Sequence, residues 1–178
     1  MSGLDLSKGM LAIAKKEVPQ AKLYHQSMVN FKIPEKFDVI LCIFDSINHI
    51  MKFSDWQKIF SSAHNHLNDG GVFIFDVNTQ VKLVRHSKEP TWVRKFDGGI
   101  MLMKVQDVDK DIFNWNIKVF EYTKGDQYLL REEDIKETNF PAKKIRQSLS
   151  RFSSVKVVDT DRKRPSGKSD RLYFICKK

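Results

Sequence analysis

The chain has 178 residues, of which 41% are hydrophobic and 11% aromatic, enough apolar material for one globular domain with a real core. It contains no run of about 18 apolar residues and no N-terminal segment of the signal-peptide type, so the sequence predicts a cytoplasmic protein rather than a membrane or exported one. The formal charge is +9, and residues 90–178 carry 20 basic and 13 acidic residues against 11 and 9 in residues 1–89.

The chain begins with the pattern of an amphipathic helix followed by a short strand. The helix starts after Ser7, a plausible N-cap, and ends before Pro19. Its spacing places Met10, Ala14 and Val18 on one apolar face. The segment AKLYH that follows is a short strand candidate.

Two uninterrupted apolar runs come next, FDVILCIF at 37–44 and VFIFDV at 72–77. Runs of this kind are typical of parallel strands that are buried on both faces. Between them SDWQKIFSSAHNHL has helical spacing, and NDGG ends the helix. This order of strand, helix and strand predicts a doubly wound α/β core.

Past residue 90 the pattern changes from continuous runs to alternation. Apolar and polar residues alternate between 113 and 119, and the turn segments DGG, DKD and KGD separate the runs. This predicts an antiparallel meander over residues 91–137, inserted into an α/β core of residues 1–90 and 138–178 within one domain. The chain then returns to a helix, PAKKIRQSLSRF, and to two strands, SVKVVDT and RLYFIC.

The densest basic cluster is DRKRPSGKSDR at 161–171, with Pro, Gly and Ser between its charges. A solvated loop is the simpler interpretation, and a patch that contacts phosphate is the other. No aromatic side chain lies within the cluster, which argues against binding of single-stranded nucleic acid.

The two cysteines, Cys42 and Cys176, both lie in apolar strand-like runs. Buried free thiols are the expected state of such residues, in preference to a disulfide or a metal site. We therefore predict no metal site.

Five blocks follow one another along the chain: GLDLSKGML, LYHQSMVNF, KFDVILCIFDSINHI, HLNDGGVFIFDVNT, and ETNFPAKKIRQSLSRFSSVKVVD with DRLYFICKK. In this order they resemble the sequence blocks of the class I S-adenosylmethionine-dependent methyltransferases. The resemblance implies a Rossmann-like methyltransferase sheet, S-adenosylmethionine as cofactor and a small-molecule methyl acceptor. Only the basic charge of the second half favours nucleic acid as the acceptor. The sequence is also compatible with a homo-oligomer.

In this family a first strand and a glycine-rich turn precede the block that contains GLDLS. The turn lets the backbone approach the methionine part of the cofactor, and the strand lies in the middle of the sheet. The sequence thus predicts an N-terminally truncated form of the fold, in which residues 1–178 alone bind S-adenosylmethionine weakly or not at all. The alternative function is a non-catalytic remnant that binds a partner completing the sheet.

The resemblance implies cofactor-binding roles for residues near the first two strands. Asp5 would accept hydrogen bonds from both ribose hydroxyls, and its alternative role is to cap the following helix. Leu6 and Met10 would form an apolar wall against the adenine. Ser27 stands where the family more often has an aspartate, and Met28 would donate its backbone amide to the ring; a plain strand-end serine and a core methionine are the alternatives.

The end of the predicted strand FDVILCIF is expected to approach the methyl group. Cys42 and Phe44 are implied in cofactor binding there, and Asp45 and His49 are the candidate bases if the acceptor must lose a proton. A helix cap and a surface histidine are the alternatives for the last two. The predicted meander would form a substrate lid, with aromatic candidates for its lining that could equally be core: Trp92, Trp115 and Tyr122.

Overall fold

A computed structural model describes all residues from 1 to 178, with ten strands, four α-helices and one short 3-10 helix. The strands are β1 Ser2–Asp5, β2 Lys22–His25, β3 Phe37–Cys42, β4 Leu67–Asn78, β5 Trp92–Phe96, β6 Gly99–Asp109, β7 Ile112–Lys124, β8 Gln127–Thr138, β9 Ser154–Val158 and β10 Arg171–Lys177. The helices are α1 Lys8–Glu17, α2 Phe53–His66, α3 Gln80–Lys88 and α4 Ala142–Ser148, and Ser46–His49 form the 3-10 turn.

The central sheet has the strand order β3-β4-β10-β9. β3 runs parallel to β4, with Ile40 beside Phe73, and β10 is antiparallel to both β4 and β9. The two apolar runs are therefore adjacent parallel strands, which confirms the α/β prediction.

One face of this sheet is covered by α2 and α4. The spacing that predicted α2 reflects real burial, because Trp56 is fully buried and Phe60 lies 5.1 Å from Phe75, ring centre to ring centre. Phe75 stacks in turn on Phe174 of β10 at 4.8 Å. The core contains 15 buried residues: Ile47, Trp56, Ile59, Phe60, Ala63, Leu67, Phe73, Phe75, Val77, Ile145, Leu149, Phe152, Leu172, Phe174 and Cys176.

The expectation that the first apolar run is buried on both faces was wrong for one face of β3. Val39 and Leu41 are 54% and 58% exposed, whereas Ile40 and Cys42 pack against the core. β1 and β2 pair in parallel as a separate two-stranded sheet, so one edge of β3 has no partner strand. The predicted apolar face of α1 is likewise uncovered, since this helix has no buried residue.

The third sheet, β5-β6-β7-β8, is antiparallel throughout and spans residues 92–138. Helix α3, which the sequence did not predict, begins after Thr79, whose hydroxyl accepts from the Lys82 amide. Its Leu83 packs against Val105 and Phe113 of the sheet in a small separate core. We call residues 92–138 the lid.

Both cysteines are free thiols, and no disulfide forms. Burial raises the pKa of the Cys176 thiol to about 12, which keeps it protonated and unreactive. No helix combines the length and the apolar character needed to cross a membrane.

Candidate functional site

The backbone reverses sharply where β3 ends. Phe44 and Asp45 are consecutive non-glycine residues in the left-handed region, with φ of 60° and 54°. Such conformations cost about 1–3 kcal/mol each and persist where the surroundings fix them. Here the Asp45 amide donates to the Asp76 carboxylate at 3.2 Å, and the Phe44 ring is turned outward, 76% exposed.

Arg171, the first residue of β10, joins two carboxylates at the ends of neighbouring strands. Its guanidinium lies 2.8 Å from Asp76 and 2.9 Å from Asp45. Asp76 is completely buried, and burial raises its pKa although the Arg171 charge opposes the shift. Arg171 is thus the counter-charge that allows the two carboxylates to share this space.

Asn78, the last residue of β4, connects Asp45 to the lid. Its side-chain amide donates to Asp45 at 2.6 Å and to Glu137 of β8 at 2.9 Å, while its oxygen accepts from Lys82 of α3. Burial and the nearby Arg171 charge lower the pKa of Lys82. One amide group therefore holds two carboxylates from distant segments at close range.

Glu137 brings a nearly buried carboxyl group from the lid into this site. Its side chain is 4% exposed, and burial raises its pKa, with the Asn78 hydrogen bond opposing the shift and the Asp45 charge adding to it. Three carboxylates, Asp45, Asp76 and Glu137, face two cations, Arg171 and Lys82. Glu137 forms no ion pair with either cation, so its carboxyl group is open to a cationic ligand.

His49 completes the group. Its Nδ1 lies 3.1 Å from the carbonyl oxygen of Lys136. A carbonyl only accepts, so Nδ1 carries a proton and Nε2 is the ring atom left to act as a base. Atoms of Asp45, His49 and Glu137 lie within 4.8 Å of one another. This set suits an amine that gives up a proton; it also has the ligand types of a divalent metal, so the absence of a metal site stays a prediction.

Asn48, which directly precedes His49 in the 3-10 turn, has a purely internal role. It is fully buried, donates to the carbonyls of Asn78 and Thr138, and accepts from the Asn78 amide. All of its hydrogen-bonding groups are engaged within the protein. It fastens the lid to the central sheet and has none left for a ligand.

The candidate cofactor residues lie around the end of β1. Asp5 accepts from the Ser7 amide through Oδ1 at 2.7 Å, and Ser7 in turn caps α1. The second carboxylate oxygen makes no hydrogen bond within the chain, so capping and ribose binding are compatible. Leu6 and Met10 are 65% and 55% exposed, apolar surfaces of the kind an adenine ring covers.

The candidate cofactor residues after β2 and at the end of β3 differ in how far they are buried. Ser27 accepts from the Val29 amide, and Met28 packs partly against the main core. Cys42 also packs against that core, and burial raises its pKa to about 12. Phe44 is the most exposed of the set.

The three lid aromatics take different places. Trp115 packs against the small core of α3 and the lid, with its ring 5.6 Å from His86. Trp92 and Tyr122 are 46% and 52% exposed, and Tyr122 lies edge-on to Tyr128. These three rings do not form one lining.

Sequence reasoning missed most partners of Asp45: Asp76, Asn78, Lys82, Glu137 and Arg171. A usable signal existed for two of them, because Asp76 and Asn78 end an apolar strand, where ligands of α/β sheets lie. Glu137 and Arg171 follow polar segments, and no local pattern marks them.

Comparison with known proteins gives matches along the whole chain. A family model for a methyltransferase domain matches residues 1–71. The YqeM protein of Bacillus subtilis (strain 168) is 25% identical over all of this chain and 75% of its own length. A dTDP-3-amino-3,4,6-trideoxy-alpha-D-glucopyranose N,N-dimethyltransferase of Streptomyces venezuelae is 31% identical over 75 residues, 42% of this chain and 32% of that enzyme.

Among solved structures, an S-adenosylmethionine-dependent methyltransferase from Clostridium acetobutylicum ATCC 824 is similar with a TM-score of 0.86 and 27% identity. The match covers 99% of this chain and 74% of that structure. All three sheets and the elements that carry Asp45, Glu137 and Arg171 therefore lie within the shared fold.

Proposed function

Because this chain belongs to the class I S-adenosylmethionine-dependent methyltransferases, we propose that it transfers the cofactor's methyl group to an amine of a small molecule. One observation carries the choice of an amine: Asp45, His49 and Glu137 converge within 4.8 Å at the strand ends. Two carboxylates attract an ammonium group, and a base beside them removes its proton. The amino-sugar N,N-dimethyltransferase from Streptomyces venezuelae, by its name, acts on an acceptor of this class.

When bound, S-adenosylmethionine supplies a methyl group on a sulfonium, which a nucleophile attacks in line while the bonding electrons pass to sulfur. The residues of this chain prepare the nucleophile. Asp45 and Glu137 hold the protonated amine, and Nε2 of His49 takes one proton, so that the nitrogen lone pair is free to attack. The buried Asn78 and the partly exposed Arg171 keep the carboxylates in place.

The first residues implied in cofactor binding lie at the end of β1, in the two-stranded sheet. Asp5 offers one free carboxylate oxygen and a second that accepts from Ser7, and Leu6 and Met10 present apolar surface beside it. Phe44 directly precedes Asp45, and its side chain is exposed. We propose that Asp5, Leu6 and Met10 hold the adenosine part and that Ser27 and Met28 lie beside its adenine ring. Cys42 and Phe44 then lie beside the methionine part of the cofactor.

Methyl transfer to a panel of acceptors tests the proposal. The full-length protein, incubated with methyl-labelled S-adenosylmethionine, should methylate a dTDP-amino sugar and leave unchanged the analogue in which a hydroxyl replaces the amine. Turnover in EDTA should equal that without it, as expected for a reaction that needs no metal. Equal labelling of amine and hydroxyl acceptors would contradict the amine assignment.

Replacing Asp5 by alanine separates its two roles. Loss of the ribose acceptor should weaken S-adenosylmethionine binding at least about tenfold, because a hydrogen bond to a charged group is lost. Ser7→Ala is the matched control: it removes the N-cap of α1, at about 0.5–2 kcal/mol, without touching the ribose. Titration calorimetry and urea unfolding of both variants measure the two effects. Affinity within twofold of wild type in Asp5→Ala would leave only the capping role.

We also propose that a further strand lies between β1 and β3 in the working protein. The open edge of β3 and the exposure of Val39 and Leu41 support this, as does the extent of the match, about three quarters of the Clostridium structure. The same edge supports the second candidate function, a partner-binding remnant, which predicts no methyl transfer by the full-length protein in the experiment above.

The location and assembly of the protein remain proposals. Two free thiols support a reducing compartment such as the cytoplasm. Exposed apolar side chains on the lid support a homo-oligomer, among them Val93, Phe96 and Leu130.

A further inference from the structure

The basic loop, residues 161–168, leaves β9 and returns to β10 with all eight of its residues exposed. It carries four cations and one carboxylate. Only Arg162 has an acidic partner, Asp159 at 3.8 Å. Lys163, Arg164 and Lys168 lie more than 4.0 Å from any carboxylate, so three positive charges are free to bind a ligand.

The base of this loop is fixed at the rim of the candidate active site. The hydroxyl of Thr79 donates to the Ser169 carbonyl at 2.5 Å, and its amide donates to the Asp170 carbonyl at 2.9 Å. Arg85 of α3 pairs with the Asp170 side chain at 2.6 Å. We call Asp45, Asp76 and Glu137 the acidic group. Thr79 directly follows Asn78, so these contacts attach the loop to the end of the strand beside that group.

The basic loop and the acidic group are joined by a short stretch of chain. Lys168 is three residues from Arg171, so their Cα atoms lie at most about 11 Å apart. Arg171 itself pairs with Asp45 and Asp76. The C-terminal end of the basic loop is therefore near enough to the acidic group for one ligand to contact both.

From this arrangement we propose that the basic loop binds phosphate groups of the methyl acceptor, which is then an amine-bearing nucleoside diphosphate. The inference rests on the proposed function and assigns the two ends of the acceptor: the amine to Asp45 and Glu137, the diphosphate to Lys163, Arg164 and Lys168. Phosphate oxygens are strong acceptors for lysine and arginine.

Two features favour a small molecule over RNA. The loop has no aromatic side chain on which a base stacks, as single-stranded nucleic acid sites do. It is also held in a turn, since the Ser166 amide donates to the buried Ser169 hydroxyl. A short turn with three cations matches a diphosphate better than an extended backbone.

Binding of thymidine diphosphate to the full-length protein tests the proposal without any methyl transfer. The loop variant is Lys163→Gln/Arg164→Gln/Lys168→Gln. The control, Lys124→Gln/Lys143→Gln/Lys156→Gln, removes three exposed lysines elsewhere and changes the net charge equally. By calorimetry, the loop variant should bind at least about tenfold more weakly than wild type, and the control within twofold of it. Raising the salt concentration should weaken wild-type binding more than that of the loop variant.

Three results would overturn the proposal: no measurable binding of thymidine diphosphate by wild type, equal binding by the loop variant, or an equal loss in the control. Tighter binding of a single-stranded RNA oligomer than of thymidine diphosphate, lost in the loop variant, would assign the loop to nucleic acid instead. Failure of methyl transfer alone would overturn the proposed function and leave the binding result unaffected.

Discussion

Arg171→Met should lower the free energy of unfolding by about 3–5 kcal/mol, the cost of leaving a buried charge without its partner. Asp76 is fully buried, and Arg171, at 2.8 Å, is its ion-pair partner. Asp45 loses its ion pair with Arg171 in the same variant. Arg146→Met is the control, because that side chain is exposed on α4 and forms no ion pair. Urea unfolding at pH 7 measures both changes.

The pH dependence of this loss identifies its cause. Without Arg171, the pKa of Asp76 rises further, since its burial remains and the opposing charge is gone. A group whose pKa is raised in the folded state stabilises that state at low pH and loses the effect as pH rises. The variant should therefore recover stability as pH falls from 7 toward 5. Asp76→Asn combined with Arg171→Met should recover part of it at pH 7; no recovery in either test would contradict the charge argument.

His49→Asn should lower kcat by about 10²–10⁴, the contribution of a positioned general base. The asparagine amide can still donate to the Lys136 carbonyl, as Nδ1 of His49 does at 3.1 Å, but offers no base in place of Nε2. The variant therefore keeps the hydrogen bond that positions residue 49 and removes only the group that accepts the proton. Steady-state kinetics with a dTDP-amino sugar measure the effect.

A control strengthens this test. His86→Asn changes a histidine of α3 that pairs with Glu89 outside the acidic group, and should keep kcat near that of wild type. A kcat within threefold of wild type in His49→Asn would show that His49 is not the base.

Local patterns predicted the core sheet and α2 because each signal lies within one short segment. The four-residue spacing of Trp56 and Phe60 specifies a buried helix face, and both side chains are buried. The same logic was wrong for β3, since an apolar run shows that a face is suited to burial and not what covers it. Val39 and Leu41 lie on the face that nothing covers, and they are therefore exposed.

The acidic group was only partly predictable because no single segment contains it. Asp45 and Arg171 are 126 positions apart, and Asn78 and Glu137 are 59 apart. Asp45 and His49 follow an apolar strand and could be identified by their position. Glu137 ends a polar lid strand, and Lys82 lies on a helix whose few apolar residues gave no clear period, so both required the fold.

Asn48 has a consequence for how different acceptors are accommodated. Its three buried hydrogen bonds fix β8 to the end of β4 at the root of the lid, next to Glu137. The far end of the lid, around Phe96 and Tyr128, has no such attachment and is half exposed. We therefore expect the lid to bend at the end remote from the chemistry. The protein should be strict about the amine it methylates and permissive about groups that project beneath the free end.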